Sequence, residues 1–214
     1  MLMQKFIDVC NSYLGVKAGT PRHNEIVTMY NGIVPLPQKY VLKVNDNWCA
    51  AFLSACAWKA SAGDPNAFPY ECGCERMVNL LKGRKELVED ESVKPKVGWL
   101  VFYDWKDNGK GDNKGWSDHV GLVVYVGKTS FTVIEGNKQS KVATREVKFN
   151  DKGLRAFGAI KYDTIPKKKS VTEVAHEVIK GVYGNGNRRK MLLTNLGYDP
   201  VEVQKEVNKI LSKK

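Results

Sequence analysis

The spacing of apolar residues changes near residue 97, and this change restricts the folds that the chain can adopt. Before that point, apolar residues recur at helical intervals, as at Leu2, Phe6, Cys10 and Leu14. Beyond it, runs rich in valine, isoleucine and aromatic residues alternate with clusters of glycine, asparagine and aspartate, which predicts strands joined by turns. Helices followed by a series of strands are typical of an α+β domain with an antiparallel sheet.

The predicted elements follow this division of the chain. Helices are expected at 2–14, 24–30, from 49 to about 62, and at 74–82. Strands are expected at 97–103, 119–126, 130–135, 144–149 and 157–162. A basic, proline-containing linker at 164–170 then precedes two or three further helices. The sequence therefore predicts one domain at 1–163 and a small all-α module at 171–214.

The net charge of +11 favours a polyanionic partner, such as nucleic acid, an anionic membrane or an anionic wall polymer. More than half of it, +6, lies in residues 167–214, which contain no interleaved aromatic platform, and this disfavours nucleic acid. No segment has the pattern of a signal peptide or a membrane span, so neither secretion by that route nor membrane insertion is expected.

Five cysteines form an odd and sparse set, which argues against a disulfide framework and suits a reducing cytosol. One residue separates Cys72 from Cys74, whereas zinc and redox motifs usually have two between their cysteines. Because the chain has only three histidines, we do not expect a metal site; a Cys72–Cys74 pair that responds to oxidation stays open.

Cys49 begins a predicted helix of small residues, directly after Trp48. The first N–H groups of a helix lack internal partners, and the helix dipole adds partial positive charge, so a thiolate is favoured there. A cysteine among alanines is more often a buried apolar residue, and Cys56 is expected to be one. The interpretation of Cys49 as a nucleophile therefore depends on partners elsewhere in the chain.

Those partners are predicted on a hairpin. If its strands turn over the three residues 127–129, then His119, Glu135 and Asn137 share one face. A two-residue turn would shift the register and point Glu135 away from His119. With Cys49 as the nucleophile and His119 as base and then acid, Glu135 or Asn137 would orient the imidazole, and the start of the Cys49 helix would stabilise an oxyanion.

Four motifs together resemble the CHAP family, the cysteine- and histidine-dependent amidohydrolases and peptidases common in phage endolysins. They are Asn47-Trp48-Cys49-Ala50-Ala51-Phe52, Gly98-Trp99-Leu100-Val101-Phe102-Tyr103, Asp118-His119-Val120-Gly121-Leu122-Val123 and Ile134-Glu135-Gly136-Asn137. The resemblance covers about residues 1–162 and implies a papain-like fold. It also implies that Cys49 and His119 are catalytic, assisted by Glu135 and Asn137.

Substrate contact is assigned to Trp48 and Trp116, which adjoin the catalytic motifs, while Trp99 and Trp105 are divided between the groove and the core. Some members of the family bind calcium near the nucleophile. Here only Asp46 lies close to Cys49, so no such site, and no cofactor, is expected. The acidic loop at 104–112 is a weaker candidate for a cation, because its spacing does not match an EF-hand.

Residues 170–211 resemble a short helical wall-binding repeat found at the end of some pneumococcal phage lysozymes, which recognises muropeptide. Tyr183, Asn185 and Arg189 are its candidate contacts here, and Tyr183 stands where that repeat usually has tryptophan. A single copy predicts weak binding unless other contacts add to it. Alternatively, Tyr183 and Tyr198 fill the core of the module.

The two resemblances imply a phage endolysin that hydrolyses an amide bond of peptidoglycan, with anionic wall polymers as further partners. We favour an N-acetylmuramoyl-L-alanine amidase; a stem or cross-bridge endopeptidase and a non-catalytic wall-binding or tail component are the alternatives. Such a protein is expected in the host cytoplasm until the membrane is permeabilised. The sequence leaves the oligomeric state open.

Overall fold

The computed structural model describes residues 1–106, 115–163, 169–195 and 197–212, which form two compact units, Met1–Asp163 and Thr164–Lys214. Among its described residues, the first unit contains a 3-10 helix at Pro37–Lys39 and ten α-helices and strands. In chain order these are α1 (Met3–Asn11), α2 (Pro21–Asn31), α3 (Cys49–Ala60), α4 (Cys74–Gly83), β1 (Leu87–Val88), β2 (Leu100–Tyr103), β3 (His119–Val126), β4 (Ser130–Lys138), β5 (Lys141–Lys148) and β6 (Leu154–Gly158).

The six strands form one antiparallel sheet in the order β1-β6-β2-β3-β4-β5, so the predicted α+β fold is confirmed. Alternate strand residues face opposite sides of the sheet. Leu122 and Ile134 face the helices, whereas Val123 and Val133 belong to a second apolar cluster on the other side. The sheet therefore has buried residues on both faces.

Helix α3 is the central helix of the first unit. Its residues are buried on nearly every side, as expected for a helix that is apolar around its whole circumference. Gly136 allows its close approach to β4, because an added Cβ there would lie 2.5 Å from the Cβ of Phe52. This packing fixes the start of α3 beside the ends of β3 and β4.

The turn between β3 and β4 differs from the prediction. The Gly127 N–H donates to the Ser130 carbonyl (2.8 Å) and Val126 pairs with Phe131, so the turn has two residues rather than three. A β-bulge at Val124 adds one residue to β3 and compensates for the shorter turn. Val123 pairs with Val133, and between this pair and His119 the strands have the predicted register.

Element boundaries differ where local signals were not recognised. Helix α2 begins at Pro21, because the Thr20 hydroxyl caps it by accepting from the His23 N–H. The last strand spans Leu154–Gly158 instead of 157–162, and just beyond it the Ile160 N–H turns back to donate to the Gly158 carbonyl (3.0 Å). The two-residue strand β1 was not predicted.

The second unit contains α5 (Val171–Ile179), α6 (Gly186–Asn195) and α7 (Pro200–Leu211). Ser170 caps α5 in a capping box with Glu173, and Asp199 caps α7. Their apolar faces meet in a small core made up of Val174, Ala175, Val178, Leu193, Val203 and Val207. The predicted linker lies mostly at 164–168, outside the described residues. Within the described ranges, no helix is long and apolar enough to cross a membrane.

Candidate active site

Cys49 is the first residue of α3, and only 5% of its surface is exposed. Within the described chain no side chain caps this helix, so its first N–H groups remain available to a charged group. The pKa of the Cys49 thiol lies well below its usual value. Contact with the Cys74 thiol lowers it most, burial opposes this, and hydrogen bonding to His119 and to the Ala50 N–H lowers it further.

His119 begins β3 and is buried beside Cys49 and Glu135. Burial lowers the pKa of its imidazole, but the contacts with Cys49 and Glu135 outweigh burial and raise that pKa to about 9. The Cys49 and His119 shifts have the directions expected of a thiolate–imidazolium pair. The pKa of about 9 keeps the His119 imidazole protonated at neutral pH, and the lowered pKa of Cys49 favours its thiolate.

Glu135 has no exposed surface and lies beside the imidazole, with its Oε2 3.4 Å from His119 Nε2. The two atoms are not aligned for a hydrogen bond, so the contact is an ion pair. Burial raises the pKa of the Glu135 carboxyl, but His119 and Arg145 together lower it below its usual value. Glu135 is thus an ionised partner on the side of the ring that carries Nε2.

Arg145 is a residue that the sequence analysis missed. Its Nε donates to Glu135 Oε1 (2.8 Å) and its second guanidinium nitrogen to Oε2 (3.0 Å), which is the two-pronged geometry of a strong charge-assisted pair. The guanidinium also lies over the rings of Tyr103 (5.4 Å) and Trp105 (5.2 Å). These contacts hold the Glu135 carboxylate in place, and its Oε2 is shared between Arg145 and His119.

Asn137 has a different partner from the one expected. It has a left-handed backbone (φ 56°), and its side-chain Nδ2 donates to Asn47 Oδ1 (3.2 Å), two residues before the nucleophile. Of the two groups proposed to orient the imidazole, Glu135 is therefore the one found at Nε2. Asn137 and Asn47 instead line a polar groove of about 390 Å³ that also includes Asp46.

Cys74 is the second residue that the sequence analysis did not place at the site. It begins α4, and its Sγ lies 3.4 Å from the Sγ of Cys49. The pairing considered from the sequence was Cys72 with Cys74. The thiol that Cys74 contacts is instead that of Cys49, because the starts of α3 and α4 lie side by side.

The tryptophans near the site differ in exposure. Trp48, assigned to substrate contact from the sequence, lines the groove that contains Asn47 and Asn137. Its ring is only 2% exposed and packs against His23 and Phe52, so the substrate contact stays a prediction. Trp116 is 70% exposed and free to contact a ligand. Trp105, half-exposed, stacks on Tyr103 and lies 5.9 Å from the His119 ring, so it is the aromatic residue nearest the catalytic groups that can meet substrate.

The residues considered for a cation have other partners. Asp46 accepts hydrogen bonds from the Tyr40 hydroxyl and the Lys43 N–H, which lower the pKa of its carboxyl. Of the acidic loop at 104–112, residues 107–112 lie outside the described residues; Asp104 accepts from the Lys106 N–H. In the described ranges, no cluster of three or more His, Cys, Asp or Glu side chains has the arrangement of a metal site.

In the second unit, Arg189 lies along a groove of about 580 Å³ between α6 and α7. It donates to Asn185 Oδ1 (2.6 Å), Gln204 Oε1 (3.2 Å) and the Gly184 carbonyl. Tyr183 packs against the helical core, and its hydroxyl donates to Glu177 (2.7 Å). Asn185 and Arg189 thus lie together, whereas Tyr183 has a structural contact as well.

Two family models match separate parts of the chain: the CHAP domain matches residues 42–137, and the CW_7 repeat matches residues 172–211. Both resemblances drawn from the sequence motifs are confirmed. The chain is also 57% identical over 42 residues to a protein named lysozyme from Streptococcus phage Cp-7. That alignment spans 20% of this chain and only 12% of the phage protein. No solved structure matches the chain significantly.

Proposed function

We propose that this chain, with its CHAP domain and CW_7 repeat, is a phage-type peptidoglycan hydrolase that cleaves an amide bond through a cysteine nucleophile. One observation carries the proposal: a thiol at an uncapped helix start, an imidazole and a buried carboxylate, distant in sequence, meet at one end of the sheet. This set of groups can form and hydrolyse an acyl-enzyme. The similarity to a phage lysozyme supports the wall as the place of action.

The reaction begins with attack of the Cys49 thiolate on the carbonyl carbon of the scissile amide. The developing oxyanion is stabilised by the free N–H groups at the start of α3. His119, as imidazolium, donates its proton to the leaving amine, and a thioester to Cys49 remains. Because the pKa of His119 is about 9, the proton is held on the ring at neutral pH.

Hydrolysis of the thioester uses the same groups in reverse. His119, now neutral, accepts a proton from water as the water attacks the thioester carbonyl. The acid product leaves, and the thiolate–imidazolium pair is restored. Glu135, held by Arg145, stabilises the imidazolium whenever His119 carries its proton, and it does not exchange a proton itself.

The second unit acts as the wall-binding module in this proposal. Its groove between α6 and α7 is lined by Arg189, Lys190 and Lys205, which suits the carboxylates of a muropeptide stem. Asn185 adds amide hydrogen-bonding groups beside Arg189, and Tyr183 adds an aromatic edge. Anionic wall polymers are further partners, since they would be attracted by the positive charge of residues 167–214. The division into a hydrolase at 1–163 and a binding module at 171–214, joined by a basic linker, is part of the proposal.

Within this class, we propose that the bond cut is the one between the lactyl group and L-alanine, which makes the chain an N-acetylmuramoyl-L-alanine amidase. Purified cell walls digested with the full chain are expected to yield peptides with a new N-terminal L-alanine, detected by mass spectrometry after amine labelling. New amines only at other stem or cross-bridge residues would replace the amidase with an endopeptidase. Release of reducing sugar ends without new amines would overturn amide hydrolysis altogether.

A further inference from the structure

The sulfur atoms of Cys49 and Cys74 lie 3.4 Å apart. Catalysis by a cysteine and a histidine does not require such a contact with a second thiol. Cys49 is the first residue of α3 and Cys74 the first of α4, so two helix starts bring their thiols together. Both side chains are largely buried, with 5% and 8% of their surfaces exposed. The mechanism above gives Cys74 no chemical step.

The two thiols of this pair differ in character. The pKa of Cys49 is lowered, whereas that of Cys74 is raised by its contact with Cys49 and by burial. The contact therefore favours the thiolate at Cys49 and the thiol at Cys74. A reactive thiolate beside a second thiol is the arrangement in which a first oxidation product is captured as a disulfide.

A second pair in the same protein provides a contrast. Cys10 and Cys56 are neighbours in the apolar core, and neither has any exposed surface. Burial, and then the contact with Cys56, raise the pKa of Cys10, which disfavours the thiolate that starts thiol oxidation at Cys10. Both pairs bring two thiols together. They differ in the pKa of the first cysteine and in the exposure of the cysteines to solvent.

We propose that Cys49 and Cys74 form a reversible oxidation site, at which a hydroperoxide converts the two thiols into a disulfide and thereby removes the nucleophile. The Cys49 thiolate attacks one oxygen of hydrogen peroxide, the O–O bond breaks, and Cys49 sulfenic acid and hydroxide form. Hydroxide takes the proton of His119 and becomes water. The Cys74 sulfur then attacks the sulfenic sulfur, the S–S bond forms, and the hydroxyl group leaves with the Cys74 proton as a second water.

The movement required is small. A disulfide needs sulfurs about 2.05 Å apart, and rotation of the two side chains can close most of the remaining distance. With Cys74 in place, the sulfenic acid is captured before a second peroxide converts it to the sulfinic acid, which thiols cannot reduce. The pair therefore makes oxidation of the nucleophile recoverable.

Mass spectrometry of the full chain tests this inference. The protein is reduced, freed of reductant, treated with a small excess of hydrogen peroxide, alkylated and digested without reduction. We expect the intact chain to lose the mass of two hydrogens and the Cys49 and Cys74 peptides to be cross-linked. Dithiothreitol should restore both thiols. The Cys72→Ser variant, which changes the half-buried thiol nearby in sequence, should form the same cross-link.

Cys74→Ser is the matched variant for the second step. It should keep the first oxidation, gain oxygen at Cys49 as sulfinic acid, and fail to recover with dithiothreitol. The proposal is overturned if the wild-type chain also ends as Cys49 sulfinic acid with Cys74 alkylated, or if the cross-link joins Cys72 or Cys56 instead. Because the readout is mass, its outcome is independent of which wall bond, if any, the protein cuts.

Discussion

His119 lies between Cys49 and Glu135, and this position determines its charge. The raised pKa means that the imidazolium is favoured in the folded chain relative to the unfolded one. The resulting stabilisation is complete below the unfolded pKa of about 6.5 and is lost as the pH rises through about 9. The Glu135 carboxyl behaves in the opposite sense, since its lowered pKa stabilises the fold above its unfolded pKa and that contribution is lost on acidification.

The alkaline limb of activity should therefore report on His119. Wall hydrolysis by the wild-type chain is expected to decline with an apparent pKa of about 9, as His119 loses its proton. In Glu135→Gln the stabilising charge is gone, so the limb should move to lower pH. Asn137→Gly, which removes the other candidate side chain and suits the left-handed backbone, should leave the limb in place. The pH dependence of kcat/KM for the two variants is the measurement. If the alkaline limb moves in Asn137→Gly but not in Glu135→Gln, then Asn137 rather than Glu135 stabilises the imidazolium.

Arg145 acts through Glu135, and its removal should be visible on the acidic limb. Without the guanidinium the pKa of Glu135 rises, so activity should fall at higher pH than in the wild-type chain. Loss of the charge-assisted bonds predicts a reduction of about 10- to 100-fold in kcat/KM for Arg145→Ala. Arg145→Lys keeps the charge without the two-pronged bond and should recover part of both effects. An unchanged acidic limb in Arg145→Ala would show that the pair is only structural.

Among the elements, the β3–β4 hairpin positions His119 and Glu135 on one face. Gly121 provides the space for Val133 and Glu135, because an added Cβ would lie 2.2 Å from Cγ1 of Val133 and 2.8 Å from Cγ of Glu135. The bulge at Val124 keeps His119 and Glu135 in register although the turn has two residues. The hairpin therefore keeps His119 and Glu135 on the same face even though a two-residue turn without the bulge would place them on opposite faces.

The alanine variant of Gly121 tests this element. Gly121→Ala is expected to displace both Val133 and Glu135, to move Glu135 away from His119 and thereby to lower kcat sharply, with near-native circular dichroism. Gly83→Ala is the matched control, because an added Cβ there meets no atom within 4 Å and alanine favours the helix. Equal activity of the two variants would contradict the role given to Gly121.

The sequence predicted elements better than it predicted contacts between them. The helix start at Cys49 and the strands of His119 and Glu135 were readable, because periodicity and small residues are local signals. The bulge at Val124 could not be predicted from the sequence, since it depends on packing across the hairpin. Arg145 was missed although a signal existed: it shares a strand face with the buried Val147, and an inward-facing charge requires a buried partner.

At the scale of the whole molecule, the chain combines a compact α+β unit with a small helical one. Its single wall-binding repeat provides one groove, so affinity for the wall is expected to be modest. The second unit also carries much of the positive charge, which makes attraction to an anionic wall dependent on salt. Binding in the groove can therefore be separated by experiment from the salt-dependent electrostatic attraction between the second unit and the wall.

Two arginine variants make this separation. In a full-length Cys49→Ala background, Arg189→Ala should reduce sedimentation with purified walls by about 10-fold or more, because it removes bonds to Asn185 and Gln204 and a charge in the groove. Arg188→Ala removes the same charge at an exposed neighbour and should have a smaller effect that added salt abolishes. Equal losses in both variants would mean that binding is only electrostatic.

The most direct test of the account is the appearance of new amine groups when purified walls are incubated with full-length Cys49→Ala, with Cys72→Ala as the matched cysteine control. The wild-type chain and Cys72→Ala should release amines at similar rates, whereas Cys49→Ala should be slower by about four orders of magnitude or more. Sedimentation with walls should be the same for all three proteins. Amine release by Cys49→Ala at the wild-type rate would contradict the assignment of Cys49 as the nucleophile.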